Sequence, residues 1–197
     1  VERSKRVLEL ACDLDTKVVT THIGVVPAES THPRYAVMQQ ACRELAAAAD
    51  SMGVRFAVET GPETSQVLKT FLDSLESKGV SVNLDPANLV MVTGDNPVQA
   101  VHTLRDYIVH THAKDGVMLH RAEPEIIYGL KQAPPDMQEP FREVPLGEGS
   151  VDFPAYLRAL REIGYTGFLT IEREVGEDPG ADIAAAAGFL RKTISEM

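Results

Sequence analysis

The sequence predicts an α/β fold built on a parallel sheet. Three observations predict it: helix-patterned and strand-patterned segments alternate strictly, the strand segments recur at a near-constant stride, and their ends carry residues able to ligate a metal. With 197 residues, 44% of them hydrophobic, the chain is the size of a single domain with one core.

Apolar residues at Val7, Leu8, Leu10, Ala11 and Leu14 have the spacing of one helical face, and KVVTTHIG follows as a short strand ending near His22. THPRYAVMQQACRELAAAADSMG supplies a long helix, with Pro33 near its first turn and Gly53 past its end. VRFAVE is the next strand. Ser65 to Ser77 is again amphipathic, closed by Gly79, and VSVNLD comes after it. Asn96 and Pro97 open a helix that runs to Tyr107, ahead of IVHTHAKD as strand. FPAYLRALREIG is the clearest helix, GFLTIERE the strand behind it, and DIAAAAGFLRKTI closes the chain. No low-complexity linker or exact repeat divides residues 1–197 into domains. One stretch breaks the rhythm: residues 116 to 147 carry Pro124, Pro134, Pro135, Pro140 and Pro145 and read as a long loop without a strand, serving as a lid or a subunit contact.

A net charge of −10 argues against nucleic acid as a partner, because gripping phosphates requires clustered Lys and Arg. A small neutral or metal-chelated substrate suits it better. No apolar run approaches the ~20 residues of a membrane-spanning helix. Cys12 and Cys42 fall in helix-like stretches without zinc spacing and read as buried thiols of an intracellular, cytoplasmic protein. VERSKRVLEL is a charged amphipathic helix pattern rather than a secretory signal, and the lack of an initiator Met points to a start further upstream.

The five strands end near His22, Glu59, Asp85, His112 and Glu172. Glu59 and Asp85 are 26 residues apart and Asp85 and His112 are 27 apart, close to the ~31 per βα unit expected when ~250 residues make eight units. His112 to Glu172 is 60, about two strides, with the Pro-rich insertion taking up the excess. In parallel α/β architectures the carboxyl ends of neighbouring strands open into one space. Two Glu, one Asp and one His form a hard, mostly oxygen donor set suited to Mn²⁺ or Mg²⁺, with Co²⁺ or Zn²⁺ admitted by the imidazole. A cation also explains how three carboxylates share a pocket of low dielectric. Taken singly, each residue has a plainer reading. A strand-end Glu is often solvated or capping, and Asp85 before Pro86 also opens a turn. His110 shares a face with His112 and reads as a hydrogen-bonded core histidine. His22 stays open between an outer ligand or substrate contact and a structural role. The joint pattern carries the inference.

The stretches VVTTHIG, FAVETGPE, VNLDPANL, HTHAKDG, PLGEGSVDFPAYLRALREIGYTG and LTIERE, in this order, resemble the sugar phosphate isomerase/epimerase family of the xylose isomerase-like TIM barrels, which includes D-tagatose 3-epimerase-like enzymes. The resemblance implies a (β/α)8 barrel of which five βα units, the fourth to the eighth, are present, with three further units, on the order of 90 residues, expected ahead of Val1. It implies Glu59, Asp85, His112 and Glu172 as the four ligands of one divalent metal, commonly Mn²⁺, and Glu59 and Glu172 as the acid/base pair. The expected activity is isomerisation or epimerisation of a ketose by proton abstraction next to a metal-bound carbonyl. The expected partner is a small sugar or polyol-ketone, and self-association is the further partnership to test.

Two positions depart from the family pattern. Asn88 stands where the epimerases place a substrate-binding His, and Met118 where they place an Arg. His22, Asn88, Lys114 and Arg142 are the candidate substrate contacts; Lys114, Asp115 and Arg173 sit near the rim, and Arg142 and Glu148 in or beside the late loop. The neighbouring endonuclease IV type of barrel is disfavoured, since Asn88 and the FRE of residues 141–143 occupy the places of two of its metal-ligand groups. An inosose-type dehydratase using the same metal, and a non-catalytic truncated binding module, remain as alternatives. No Gly-rich phosphate cradle is present.

Overall fold

The computed structural model describes residues 1–197. Its main sheet has five parallel strands: β1 (Val18–Thr21), β2 (Arg55–Glu59), β3 (Val80–Leu84), β4 (Ile108–Ala113) and β7 (Leu169–Ile171), side by side in that order. β1 and β7 each have a partner on one side only. A layer of helices covers the outer face: α1 (Glu2–Asp13), α2 (Pro33–Met52), α3 (Ser65–Asp73), α5 (Pro97–Leu104), α7 (Phe153–Glu162) and α8 (Pro179–Ser195). None of the helices is long and apolar enough to cross a membrane.

Helix boundaries follow capping chemistry. The Thr64, Asn96, Asp152 and Asp178 side chains accept the first free backbone N–H groups of α3, α5, α7 and α8, and Pro occupies the first turn of α2, α5, α7 and α8. Gly53 ends α2 in the left-handed conformation, φ 67°. Gly79 is required for another reason: a Cβ there would overlap the backbone of Ala46, so its absence lets β3 start directly against α2.

β3 sets the pattern that matters for the site. Val80, Val82 and Leu84 point into the helix-covered core, whereas Ser81, Asn83 and Asp85 alternate with them. The core beneath the helices is closed by Phe71, Leu72, Leu104, Phe153 and Tyr156, all at most 1% exposed. The opposite face of the sheet is thus polar, unlike the near-continuous apolar runs usual for parallel strands. Hydroxyls lock neighbouring strand ends together. Thr60 Oγ1 donates to the Asp85 carbonyl and accepts the Asp85 N–H, at 2.9 and 2.8 Å, and Thr111 Oγ1 donates to the Leu84 carbonyl at 2.8 Å.

The Pro-rich insertion differs from its sequence reading. It contains β5 (Asp115–Met118) and β6 (Phe141–Val144), paired antiparallel as a separate two-stranded sheet, with the short helix α6 (Pro124–Ile127) between them. Pairing across more than twenty residues depends on contacts invisible to local pattern. The main sheet gains no strand from it, because β4 pairs directly with β7. Between β3 and α5 lie a one-turn helix, α4 (Pro86–Asn88), and a π turn over Leu89–Thr93, neither of which the sequence pattern marks. Cys42 is buried and Cys12 half-buried, and neither is in a disulfide.

Just beyond β2, the buried carboxyl of Glu63 accepts the Val26 N–H at 2.9 Å, tying the segment after β1 to the turn after β2. Burial raises its pKa from 4.5 to about 8, against the opposing pull of that hydrogen bond. The folded state therefore holds this proton more tightly than the unfolded chain does. The associated stability is full below the ordinary carboxyl pKa and is lost as pH rises through the raised one. Glu63→Gln keeps an acceptor for Val26 and cannot ionise. Its urea midpoint should decline less than the wild type's as pH rises from 4.5 to about 8; parallel declines would show that Glu63 does not carry the effect.

Candidate metal centre

Four ligand atoms, one each from Glu59, Asp85, His112 and Glu172, lie within 4.8 Å of one another at the carboxyl ends of β2, β3, β4 and β7. His112 Nδ1 is 3.1 Å from Glu172 Oε2, 3.5 Å from Asp85 Oδ2 and 3.7 Å from Glu59 Oε1. Donors each about 2.2 Å from a shared ion lie up to about 4.4 Å apart, so the cluster has nearly the span of one coordination shell.

Each residue is delivered by its strand end. Asp85 is fully buried; its Oδ1 accepts the N–H groups of Ala87 and Asn88 at 2.8 and 3.0 Å, which leaves Oδ2 facing the other three. Turn opening and presentation to the cluster are thus done by different oxygens of one carboxylate. Glu59 Oε1 accepts from Asn88 Nδ2 at 2.9 Å and its Oε2 from Asn83 Nδ2 at 3.2 Å. Glu172, one residue past β7, donates its N–H to the Ala113 carbonyl at 3.2 Å.

A cation fits the donors. Asp85 Oδ2 and His112 Nδ1 are buried and have no hydrogen-bond partner, a costly arrangement for groups this polar. The electrostatics lead the same way. Burial, then the Asp85 charge, raises Glu59 to about 7. Burial pulls the His112 imidazole down, but Asp85 and Glu172 outweigh it and push it well up. Glu172 is held well below the carboxylate range by the His112 imidazole beside it, and burial only partly offsets this. Three acids thus compete for one protonated ring, and a divalent ion would relieve all of them.

A cavity of about 270 Å³ opens above the cluster, lined among others by His22, Lys114, Tyr128 and Glu143. Lys114, only 3% exposed, reaches Glu174 Oε2 at 2.6 Å, Glu172 Oε2 at 3.1 Å and Glu143 Oε2 at 3.7 Å. His22 is half exposed just past β1, with Nε2 3.6 Å from Glu59 Oε2. Asn88 lines the cavity with its amide nitrogen engaged by Glu59. Arg142 is exposed on β6 and does not line it, whereas its neighbours Phe141 and Glu143 do, as alternation along a strand requires. Arg173 is held by Asp182 at 2.7 Å and Glu143 at 2.8 Å. His110 bonds Thr170 Oγ1 at 2.8 Å on the same face as His112 but is only half-buried. A separate cavity of about 210 Å³ beside α7, α8 and β7 is mostly apolar and shares no residue with the cluster.

The sequence reading overlooked Asn83, Tyr128 and Glu143, and gave Asp115 only a place on the rim. Period-two alternation back from Asp85 does put Asn83 on the polar face; the other two arrive on the insertion. Asp115 is buried, and its two oxygens accept four backbone N–H groups, from Gly116, Gly147, Gly149 and Val151, at 2.9 to 3.1 Å. It clamps the PLGEGSV loop to the end of β4, three residues from His112. Gly149 packs so closely that a Cβ would overlap the Asp115 carboxylate.

Comparison with known proteins decides the family. The family model described as xylose isomerase-like TIM barrel matches residues 1–193. This chain belongs to the xylose isomerase-like TIM barrel family. Its five strands form part of that barrel, and a xylose isomerase domain protein from Planctomyces limnophilus superposes with a TM-score of 0.81 at 30% identity, over 99% of this chain and 64% of the other. A D-tagatose 3-epimerase-like protein shares the fold, with a TM-score of 0.71 at 22% identity over 97% of this chain and 67% of that one. Among curated proteins, the chain is 24% identical over 187 residues to an uncharacterised protein of Methanocaldococcus jannaschii, covering 88% of this chain and 56% of the other. It is 31% identical over 124 residues to an inosose dehydratase of Clostridium botulinum, covering 61% of this chain and 38% of that enzyme. The chain therefore spans about half the length, or less, of these curated relatives.

Asp115→Ala would strip four backbone donors of a charged acceptor. It should cost on the order of 2–4 kcal/mol and speed hydrogen exchange at Gly147, Gly149 and Val151. Unchanged protection of those amides would remove the clamp.

Proposed function

We propose that this chain carries the metal site and part of the substrate cavity of a divalent-metal-dependent sugar isomerase or epimerase that abstracts a proton next to a carbonyl. The observation carrying the reading is the cluster itself: Glu59, Asp85, His112 and Glu172 within 4.8 Å, two of them with buried, unpartnered ligand atoms. These four would hold one ion, Mn²⁺ by preference from the donor set, with Mg²⁺, Co²⁺ or Zn²⁺ as substitutes. When bound, the ion would stabilise negative charge developing on the substrate's carbonyl oxygen.

The proton chemistry falls to the two glutamates. Glu59 is anchored through both oxygens by Asn83 and Asn88, which fixes its carboxylate for taking up and returning a proton. Glu172, whose pKa is lowered by the His112 imidazole and then by Lys114, would serve the other face of the substrate. Transfer between opposite faces epimerises, and transfer along one face isomerises. His22, Asn88 and Lys114 are the proposed hydroxyl contacts, and Arg142 the weakest of the substrate assignments because it lies outside the cavity.

The charge of the cavity supports an uncharged substrate. Lys114, the Lys or Arg that lines the cavity, faces three carboxylates, and nearby Arg173 is taken by two, so neither is left over for a phosphate ester. A second reading, dehydration of an inosose-like cyclic ketone with the same metal and proton abstraction, is favoured by the likeness to inosose dehydratases.

In the intact protein, Glu172→Gln should weaken Mn²⁺ binding about tenfold or more by calorimetry; unchanged affinity would take Glu172 out of the ligand set. With Mn²⁺ present, solvent-deuterium exchange at the carbon next to the carbonyl, followed by NMR over a panel of ketoses and inososes, should proceed faster for an uncharged ketose than for its phosphate ester. Metal binding without exchange in any member of the panel would replace the enzyme with a binding module. Loss of water from an inosose would favour the dehydratase.

A further inference from the structure

Asn83 is fully buried on the polar face of β3, two residues before Asp85 and directly beside Glu59 in the register of β2 and β3. Its Nδ2 lies 3.2 Å from Glu59 Oε2 and 3.1 Å from His112 Nε2, while its Oδ1 is buried and has no hydrogen-bond partner. The pairing of β3 with β4 shifts register between Val82 and Asn83, an irregularity of the kind that re-aims side chains near functional sites. Asn83 pairs with His110 along the backbone, yet its side chain reaches His112.

We propose that Asn83 is a positioning residue for the metal centre, its amide acting as a fork that orients the His112 ring with one arm and the Glu59 carboxylate with the other. The inference rests on the proposed ligand role of His112. A cation at Nδ1 needs the lone pair of that nitrogen, so a neutral ring must carry its hydrogen on Nε2 and donate it. Asn83 is the group within hydrogen-bonding distance of Nε2. An amide nitrogen cannot accept that hydrogen, but the amide oxygen can. Rotation about Cβ–Cγ brings the unpartnered Oδ1 to the Nε2–H and keeps Nδ2 with Glu59, so the buried oxygen gains the partner it lacks. Outer partners of this type set the tautomer and orientation of metal-bound histidines. A carboxylate at this position would accept from the ring but repel Glu59, and an aliphatic side chain would serve neither.

The test reads the ring directly. In the intact, histidine-labelled protein loaded with Mg²⁺, long-range ¹H–¹⁵N NMR should show His112 as the Nε2–H tautomer with a slowly exchanging proton. In Asn83→Leu that proton should exchange quickly, and Mn²⁺ affinity should fall about 10–100-fold. Asn83→Asp should retain the Nε2–H tautomer. An Nδ1–H tautomer in the Mg²⁺-loaded wild type would overturn the proposal without recourse to any variant, and so would wild-type Mn²⁺ affinity in a folded Asn83→Leu protein. If Glu172→Gln also binds Mn²⁺ as the wild type does, the ligand reading itself has failed. If Glu172→Gln loses the ion and Asn83→Leu keeps it, only the role of Asn83 falls.

Discussion

Mutual repulsion among Glu59, Asp85 and Glu172 is the constraint on which the rest of this structure depends. Three carboxylates share a few ångströms with one imidazole at strand ends partly shielded from water, where like charges interact far more strongly than they would in solvent. Such an arrangement survives only if the backbone that carries it cannot relax. The fold meets that condition with hydroxyl stitches at Thr60 and Thr111, the capping oxygen of Asp85 and the four-armed clamp of Asp115. Each of these joins the ends of neighbouring strands or holds a loop against one, and none belongs to the charged cluster apart from Asp85.

The same constraint explains the polar face of the sheet. If the face opposite the helices were packed with aliphatic side chains, the strand ends would have no donors to share. Here Ser81 and Asn83 lead to Asp85 along β3, His110 leads to His112 along β4, and Thr170 precedes Glu172. The apolar core is pushed entirely to the helix side, where Val80, Val82 and Leu84 meet the helix layer. One period-two alternation therefore does two jobs: it anchors the sheet by burial on one side and lines up ligands on the other.

How much of this was legible in the sequence follows from the range of the interactions. Alternation and cap residues are local, so the order of helices and main-sheet strands could be read directly, and so could the grouping of Glu59, Asp85, His112 and Glu172 from their stride. The antiparallel pair β5–β6 could not, because DGVM and FREV are short, ordinary in composition and separated by a Pro-rich segment. That misreading carried a cost at the site. Taking residues 116–147 as loop offered no way to see that Phe141 and Glu143 face the cavity while Arg142, between them, faces out. Asp115 likewise looked like a rim charge, since nothing near it in sequence reveals three waiting N–H groups more than thirty residues away, at Gly147, Gly149 and Val151.

Asn83 and Asn88 show how neutral amides make a crowded acidic site workable. Each donates to a different oxygen of Glu59, so a neutral hydrogen-bond donor holds each end of the carboxylate. A Lys or Arg in either place would pair with Glu59 and add a positive charge where the cluster would hold a metal ion. The ammonium this chain places at the site, Lys114, sits instead on Glu172, whose pKa is lowered first by the His112 imidazole and then by Lys114. Two glutamates in one cavity are thereby pushed apart: burial and the Asp85 charge raise Glu59, and the His112 imidazole, with Lys114 after it, lowers Glu172. That division sets the charge pattern a divalent ion would meet on entering the cluster.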